Sequence, residues 1–175
     1  AQVEVSHEIV NEGTDKASVS LISSLWDAEG KKVLEVSSCA EFAPGEKKTI
    51  ALNGCVKHPS LWSPESPYLY RLNTVLSVNG GEGYEVFSGK VGIRTFRFDA
   101  DKGFFLNGKN RKLKGVCVHH DGGCLGAAMT KEVWERRLTA LKEMGCDAIR
   151  TSHNPHMPEL YDLCDEMGFL MMDEA

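Results

Sequence analysis

Three short polar clusters in this chain have residue types suited to chemistry: His119-His120-Asp121, Ser152-His153-Asn154-Pro155-His156 and Asp173-Glu174. Each directly follows a short apolar run, at residues 113–118, 148–151 and 169–172. In parallel α/β architectures ligands bind where the carboxyl ends of strands and their loops converge. One such cluster would say little. Three in consecutive units are hard to explain by core packing, and they predict a ligand site drawing on His119, His153, Arg150 and Asp121. Arg150 sits inside an apolar run, and a buried guanidinium needs carboxylate or backbone partners. It is therefore either an orienting group in the site or half of an interior ion pair, with Asp173 as the candidate partner.

Other roles compete for the same residues. His119 is alternatively a satisfied core histidine, His120 and His156 are ordinary loop histidines, Asp121 caps its own loop, and Glu174 faces solvent. Imidazole and carboxylate suit several divalent ions, but no strong ligand spacing such as His-Glu-x-x-His is present, so no metal site is expected. Ser152 and His153 do not make a nucleophile and base, because adjacent residues of an extended strand point to opposite faces.

The elements that must position these clusters follow from periodicity. Residue 130 is a threonine suited to cap a helix that runs to about Met144, with Trp134, Leu138 and Leu141 on one face and Gly145 as the stop. Pro158 suits the first turn of a second helix whose apolar face is Leu160, Leu163, Cys164 and Met167, ended by Gly168. Strands alternating with helices of this length imply a parallel sheet with right-handed crossovers. Ahead of it, Asn107-Gly108 between apolar runs predicts a tight hairpin.

Before about residue 98 the texture differs. Val3, Val5 and Ile9, then Val19, Leu21 and Leu25, then Tyr70, Leu72, Thr74, Leu76 and Val78 alternate along strands with one apolar face. Turn signals separate them, among them Asn11-Glu12-Gly13, Pro44-Gly45 and Asn79-Gly80-Gly81. About seven short strands are expected, forming a two-sheet, immunoglobulin-like sandwich in architecture. Pro59, Pro64 and Pro67 exclude a central strand from residues 58–70, which reads as an ordered loop. The expected division is 1–97 for the all-β sandwich and 98–175 for the βαβαβ part.

Composition narrows the function. At 42% hydrophobic and 26% charged, the chain resembles an ordinary soluble globular protein. A net charge of −5 without a clustered basic footprint argues against a nucleic-acid partner. No run of 18 apolar residues occurs, so no membrane-spanning helix is expected. The six cysteines form no Cys-x-x-Cys pair and read as reduced, small apolar residues rather than a disulfide framework. The start at Ala1, already strand-like, suggests a longer or processed parent.

Several of these segments also carry a resemblance. Residues 61–70, Leu-Trp-Ser-Pro-Glu-Ser-Pro-Tyr-Leu-Tyr, resemble the LWSPExPxLY segment of family 2 glycoside hydrolases. Val91-Gly92-Ile93-Arg94-Thr95-Phe96 resembles the strand leading into that family's barrel. Residues 103–109 and 113–116 resemble its hairpin and first barrel strand, and residues 144–155 and 161–166 its second-strand signature, continuing to Asp173-Glu174-Ala175. Order and spacing agree across roughly residues 58–175; residues 1–57 match only in texture.

The resemblance implies an immunoglobulin-like sandwich followed by the first βαβαβ part of a TIM (β/α)8 barrel. It also implies retaining exo-hydrolysis of terminal β-linked sugars, with β-galactosides as the expected substrate. The alternative is a non-catalytic carbohydrate-binding or structural module on the same fold. His119 matches the histidine of the family's GVNxH segment and His153 that of its SHNP segment. Both resemble residues that hydrogen-bond hydroxyls of the non-reducing sugar. Arg150 matches an arginine near the nucleophile. Cys117 stands where asparagine is usual, so the match assigns no role to His120 or Asp121. The family's two glutamates follow its fourth and seventh strands, so no catalytic residue is expected in this chain and it should be inactive alone. No cofactor is expected here, with Mg or Na left to the full-length enzyme. The expected partners are a β-linked saccharide, the remainder of the barrel, and a second copy through self-association. His119 and His153 should lie within roughly 10 Å, since parallel neighbours run about 4.8 Å apart.

Overall fold

A computed structural model describes residues 1–174; Ala175, the last residue of the matched segment, lies outside the described residues. The chain divides into two compact units. The first comprises Ala1–Ser60 and Leu69–Ile93, the second Leu61–Tyr68 and the chain from Arg94 onward.

The first unit is built of six strands, β1 Gln2–Val10, β2 Ala17–Trp26, β3 Lys32–Phe42, β4 Lys47–Cys55, β5 Tyr70–Val78 and β6 Tyr84–Val91. β1 pairs antiparallel with β4, and the other four form an antiparallel sheet in the order β3-β2-β5-β6. Alternate residues turn inward. Val5 and Ile9 of β1 and Ile50 and Leu52 of β4 meet Val19, Leu21, Val36, Phe42 and Leu76 of the other sheet in one core, which makes the unit a two-layer sandwich. The alternation read from the sequence turns one face of β1, β2 and β5 inward, whereas β6 has no buried residue.

The first unit holds six strands where about seven were expected, and the next strand belongs to the second unit. Phe96–Asp99 (β7) pairs with Gly103–Leu106 (β8), which turns through Asn107-Gly108 into Lys109–Asn110 (β9). Asn107 and Gly108 have φ of 50° and 77°. Both central residues of a tight type I′ turn need positive φ, which asparagine tolerates and glycine adopts freely. The Asn107 side chain also accepts from the Thr95 N–H at 3.0 Å and donates to the Trp62 carbonyl at 3.0 Å.

The βαβαβ segment follows: β10 Gly115–Val118, α1 Lys131–Glu143, β11 Ala148–Thr151, α2 Pro158–Met167 and β12 Leu170–Met172. The strands are parallel, in the order β10-β11-β12, with Val116 opposite Ile149 and Ile149 opposite Met171. One face of the sheet packs on both helices. Val118, Ile149 and Phe169 join Trp134 and Leu138 of α1 and Leu160, Leu163 and Cys164 of α2. Gly145 and Gly168 stop the helices at positive φ, as their positions in the sequence predict. Two strands are shorter than expected, because neighbouring groups are already committed. The Lys114 N–H is bonded to the Asp147 side chain at 2.8 Å, so the β10 ladder begins one residue later. The Phe169 N–H is spent on the α2 carbonyl of Cys164, so β12 begins at Leu170.

Residues 61–68 are not a free loop. Trp62 is 1% exposed. Its indole N–H donates to the Asp165 carbonyl at 2.8 Å, one of the last-turn carbonyls that α2 cannot satisfy internally. Glu65 binds Arg111, which also reaches Asp147. The guanidinium beside it holds the Glu65 carboxyl down at about 2.

Candidate functional site

In a parallel sheet all strands run the same way, so the three polar clusters come out on one rim. His119 follows β10, His153 lies two residues past β11, and Asp173 and Glu174 follow β12. The rings of His119 and His153 are 5.2 Å apart, tilted by 50°, and both residues are exposed. His119 is therefore not a core histidine.

The loop carrying His153 is tied to the end of the third strand. The Glu174 carboxylate accepts from the His153 backbone N–H and from the Arg150 guanidinium. Those two donors, the backbone N–H first, hold Glu174 below the ordinary carboxylate value. His153 itself has φ of 77°, a left-handed conformation uncommon for a residue with a side chain. The hydrogen bond from its N–H to Glu174 is the local interaction that holds it there. Glu174 is thus partnered and does not simply face solvent.

Asp173 makes a second tie. Its Oδ1 accepts from the Thr151 hydroxyl at 2.6 Å and from the Tyr161 hydroxyl at 2.9 Å. These donors, Thr151 first, also keep its carboxyl below the ordinary value. Thr151 Oγ1 in turn accepts from the Glu174 N–H at 3.1 Å. The expected Arg150–Asp173 pair does not form. Arg150 pairs with Glu174 instead, because the Oδ1 of Asp173 is already occupied by two hydroxyls. On its other side Arg150 donates to the Cys117 sulfur at 3.4 Å, which lowers that thiol's pKa. Arg150 is half-exposed, so it belongs to the open face of the sheet, not to a sealed interior pair.

Asp121 is exposed and turns back on its own loop, its Oδ1 accepting the Gly123 N–H at 2.9 Å. Its side chain does not reach the histidine pair, although its backbone N–H donates to the His119 carbonyl at 2.8 Å. Ser152 is buried and does not pair with His153, and its N–H extends the ladder to Val118 at 2.9 Å. His156 is not an ordinary loop histidine. It is 7% exposed, stacked on His120 at 5.0 Å and 18°, with Trp134 of α1 at 5.2 Å. Tyr161, Thr151 and this stack were not singled out by sequence. The one available signal was Tyr161, a polar aromatic a single turn into a helix whose start lies beside the clusters. Among the described residues no group of three or more His, Cys, Asp or Glu side chains is placed to hold a metal ion.

A two-layer sandwich leading into parallel βαβαβ units, with polar side chains gathered at the carboxyl rim, is the layout of an enzyme barrel's entry. The chain belongs to family 2 of the glycosyl hydrolases. The model of the TIM barrel domain of glycosyl hydrolases family 2 matches residues 99–175, and a second model, glycosyl hydrolases family 2, matches residues 1–94. Beta-galactosidase BoGH2A of Bacteroides ovatus is 49% identical over all 175 residues, and the alignment covers 20% of that protein. A beta-galactosidase of Halalkalibacterium halodurans is 36% identical over 157 residues, 89% of this chain and 15% of its own length. Among solved structures, beta-glucuronidase 2 of Bacteroides uniformis, covalently bound to cyclophellitol-6-carboxylate aziridine, superposes with a TM-score of 0.88. It is 33% identical and covers 98% of this chain and 21% of its own. The chain thus spans about a fifth or less of the length of the curated relatives it matches.

Proposed function

We propose that this chain is the sandwich and barrel entry of a retaining exo-β-glycosidase. Residues 1–60 and 69–93 supply an immunoglobulin-like domain, and residues from 94 onward, with 61–68, the start of the barrel. Its expected substrates are terminal β-galactosides, a choice supported by the name of the relative matched along the whole chain. His119 and His153 bind hydroxyls of the non-reducing sugar, and Arg150 orients carboxylates beside them. The observation that carries this reading is the 5.2 Å histidine pair on the carboxyl rim of the parallel sheet.

Retaining hydrolysis needs two carboxyls about 5 Å apart, one of them protonated at working pH with a raised pKa. Asp173 and Glu174 do not suit that work. Both are engaged with hydrogen-bond donors and both are held below the ordinary carboxylate value. Their role is to orient, and the 175 residues alone are expected to be inactive.

The open face of the sheet supports the barrel reading. Cys117, Arg150 and Met172 lie in register on it. They help line a concavity of about 450 Å³ together with Phe96, Phe98 and Leu113. The remainder of the barrel is the partner that would cover this face.

The test uses the parent enzyme with nitrophenyl β-galactoside and β-glucuronide. His119→Ala and His153→Ala should each lower kcat/KM by roughly 10- to 100-fold, the loss of one or two sugar hydrogen bonds in the transition state. Unchanged kcat/KM in both variants would refute the sugar-binding assignment. Preference for the glucuronide would refute the galactoside assignment. Turnover by the 175-residue chain above a contaminant control would refute the division of labour.

A further inference from the structure

Two pairs of rings bridge the loops after β10 and β11. One is the exposed pair His119–His153, the other the stack His120–His156. His120 adjoins His119 in sequence, and His156 lies three residues past His153, so each loop carries one member of each pair. The strand ladder ends with the Ser152 N–H on the Val118 carbonyl. Beyond it, among the described residues, no backbone hydrogen bond joins residues 119–122 to residues 153–157. Glu174 anchors the backbone of His153, and the contacts that run directly between the two loops are the ring pairs. The exposed contact contributes little, because water competes for both rings. The inner one is enclosed, with His156 at 7% exposure and Trp134 at 0%. We infer that the column His120–His156–Trp134 is the positioning device for the His119–His153 pair, and that protonation of His156 releases it.

The chemistry of the column requires a neutral His156. Neither of its ring nitrogens has a partner in the protein. A cation there would be buried without an acceptor, which is costly. The groups facing it come from every neighbouring element. His119 and His120 come from the loop after β10. On α1, Arg137 lies over the Trp134 ring at 5.3 Å. Tyr161 of α2 accepts the His156 backbone N–H at 3.3 Å. Asp173, after β12, is the only anion among them, and it already accepts from two hydroxyls. Burial first, then His120, pushes the His156 pKa below its ordinary 6.5, and Asp173 opposes this only in part.

The sign follows. An unconstrained His156 takes a proton near 6.5, while the stacked one resists it. The column is at full strength above that value and weakens as pH falls through the lowered one.

This inference rests on the sugar-binding reading only for its consequence, since the geometry can be measured without sugar. The experiment follows cross-relaxation between the ring protons of His119 and His153 by NMR in the 175-residue chain, from about pH 8 to about pH 5. In the wild type the signal should be present at the upper end and lost at the lower. His156→Phe keeps an aromatic stack that cannot titrate, and should retain the signal throughout. His120→Ala, at a half-buried loop position, should lose it at both ends with the helical circular dichroism unchanged. A purely structural role for the column would not produce this pH profile or its rescue by phenylalanine. A pH-independent wild-type signal, or an intact signal in His120→Ala, overturns the inference. Should His156→Phe fail to fold, His120→Ala and the wild-type profile still decide it. Failure of the sugar reading appears separately, as unchanged kcat/KM in His119→Ala.

Discussion

Trp62 offers the sharpest quantitative test of how the second unit is assembled. Its side chain is 1% exposed and its N–H satisfies the Asp165 carbonyl at the end of α2. The Arg94 guanidinium lies over its ring at 4.6 Å. Trp62→Ala removes the whole buried ring, which costs about 3–5 kcal/mol in transfer and cavity terms, and it strands the Asp165 carbonyl. Trp62→Phe keeps most of the buried surface. It loses the hydrogen bond and part of the cation–π contact, together about 1–2 kcal/mol. Because the chain has two units, a single global unfolding free energy is ill-defined, and residue-level hydrogen exchange is the appropriate assay. At tenfold per 1.4 kcal/mol, Trp62→Phe should speed exchange of the most protected α2 amides about tenfold, and Trp62→Ala about 1,000-fold. Protection of β2 and β5 should barely change. Equal effects of the two substitutions, or losses concentrated in β2 and β5, would refute the assignment of residues 61–68 to the second unit.

Two further outcomes follow from the open face and its cysteine. Cys117 is exposed with its thiol pKa lowered by Arg150, while burial pushes Cys164 up to about 12. Peptide-mapped alkylation at neutral pH should label Cys117 well before Cys164, and comparable rates would contradict the described burial. Phe96, Phe98 and Met172 are 64%, 75% and 61% exposed on or beside that face. The isolated chain should therefore self-associate, with a sedimentation coefficient rising with concentration and a weaker trend in Phe98→Lys. A strictly monomeric wild type at every concentration would count against the partial-barrel reading.

What the sequence made legible was local. The alternation in β2 and β5, the Asn107-Gly108 turn and the glycine stops after α1 and α2 are set by residues within a few positions of one another. The strand-end placement of His119 and His153 follows from those elements plus the rule for parallel sheets, with no need to know any contact. What escaped depends on partners far apart in the chain. Residues 61–68 read as a loop because their prolines exclude a strand, yet Trp62 meets Asp165, 103 residues away. Lys142 reaches the Pro64 carbonyl across 78 residues. Gly168 illustrates both levels. Its φ of 76° marks a helix stop, as expected. A Cβ there would also come within 2.6 Å of the Pro64 carbonyl oxygen, a constraint only the packed unit shows. The partner of Arg150 escaped for a similar reason: two adjacent carboxylates were available, and the choice was made by Thr151 and Tyr161.

That choice bears on mechanism. Successive residues leave a strand on opposite sides, so Asp173 and Glu174 cannot both serve one group. Asp173 turns to Thr151 and Tyr161, and Glu174 to Arg150 and the His153 backbone. Asp173 therefore ties the end of β11 to α2, and Glu174 anchors the backbone of His153, while the ring of His153 is left to its contacts across the loops. A carboxylate with such donors is stabilised as the anion and is a poor proton donor near neutral pH. The same hydrogen bonds that make the pair effective as anchors disqualify it as a general acid. Under the proposed function, positioning and proton transfer therefore fall to different residues, and this pair is organised for positioning.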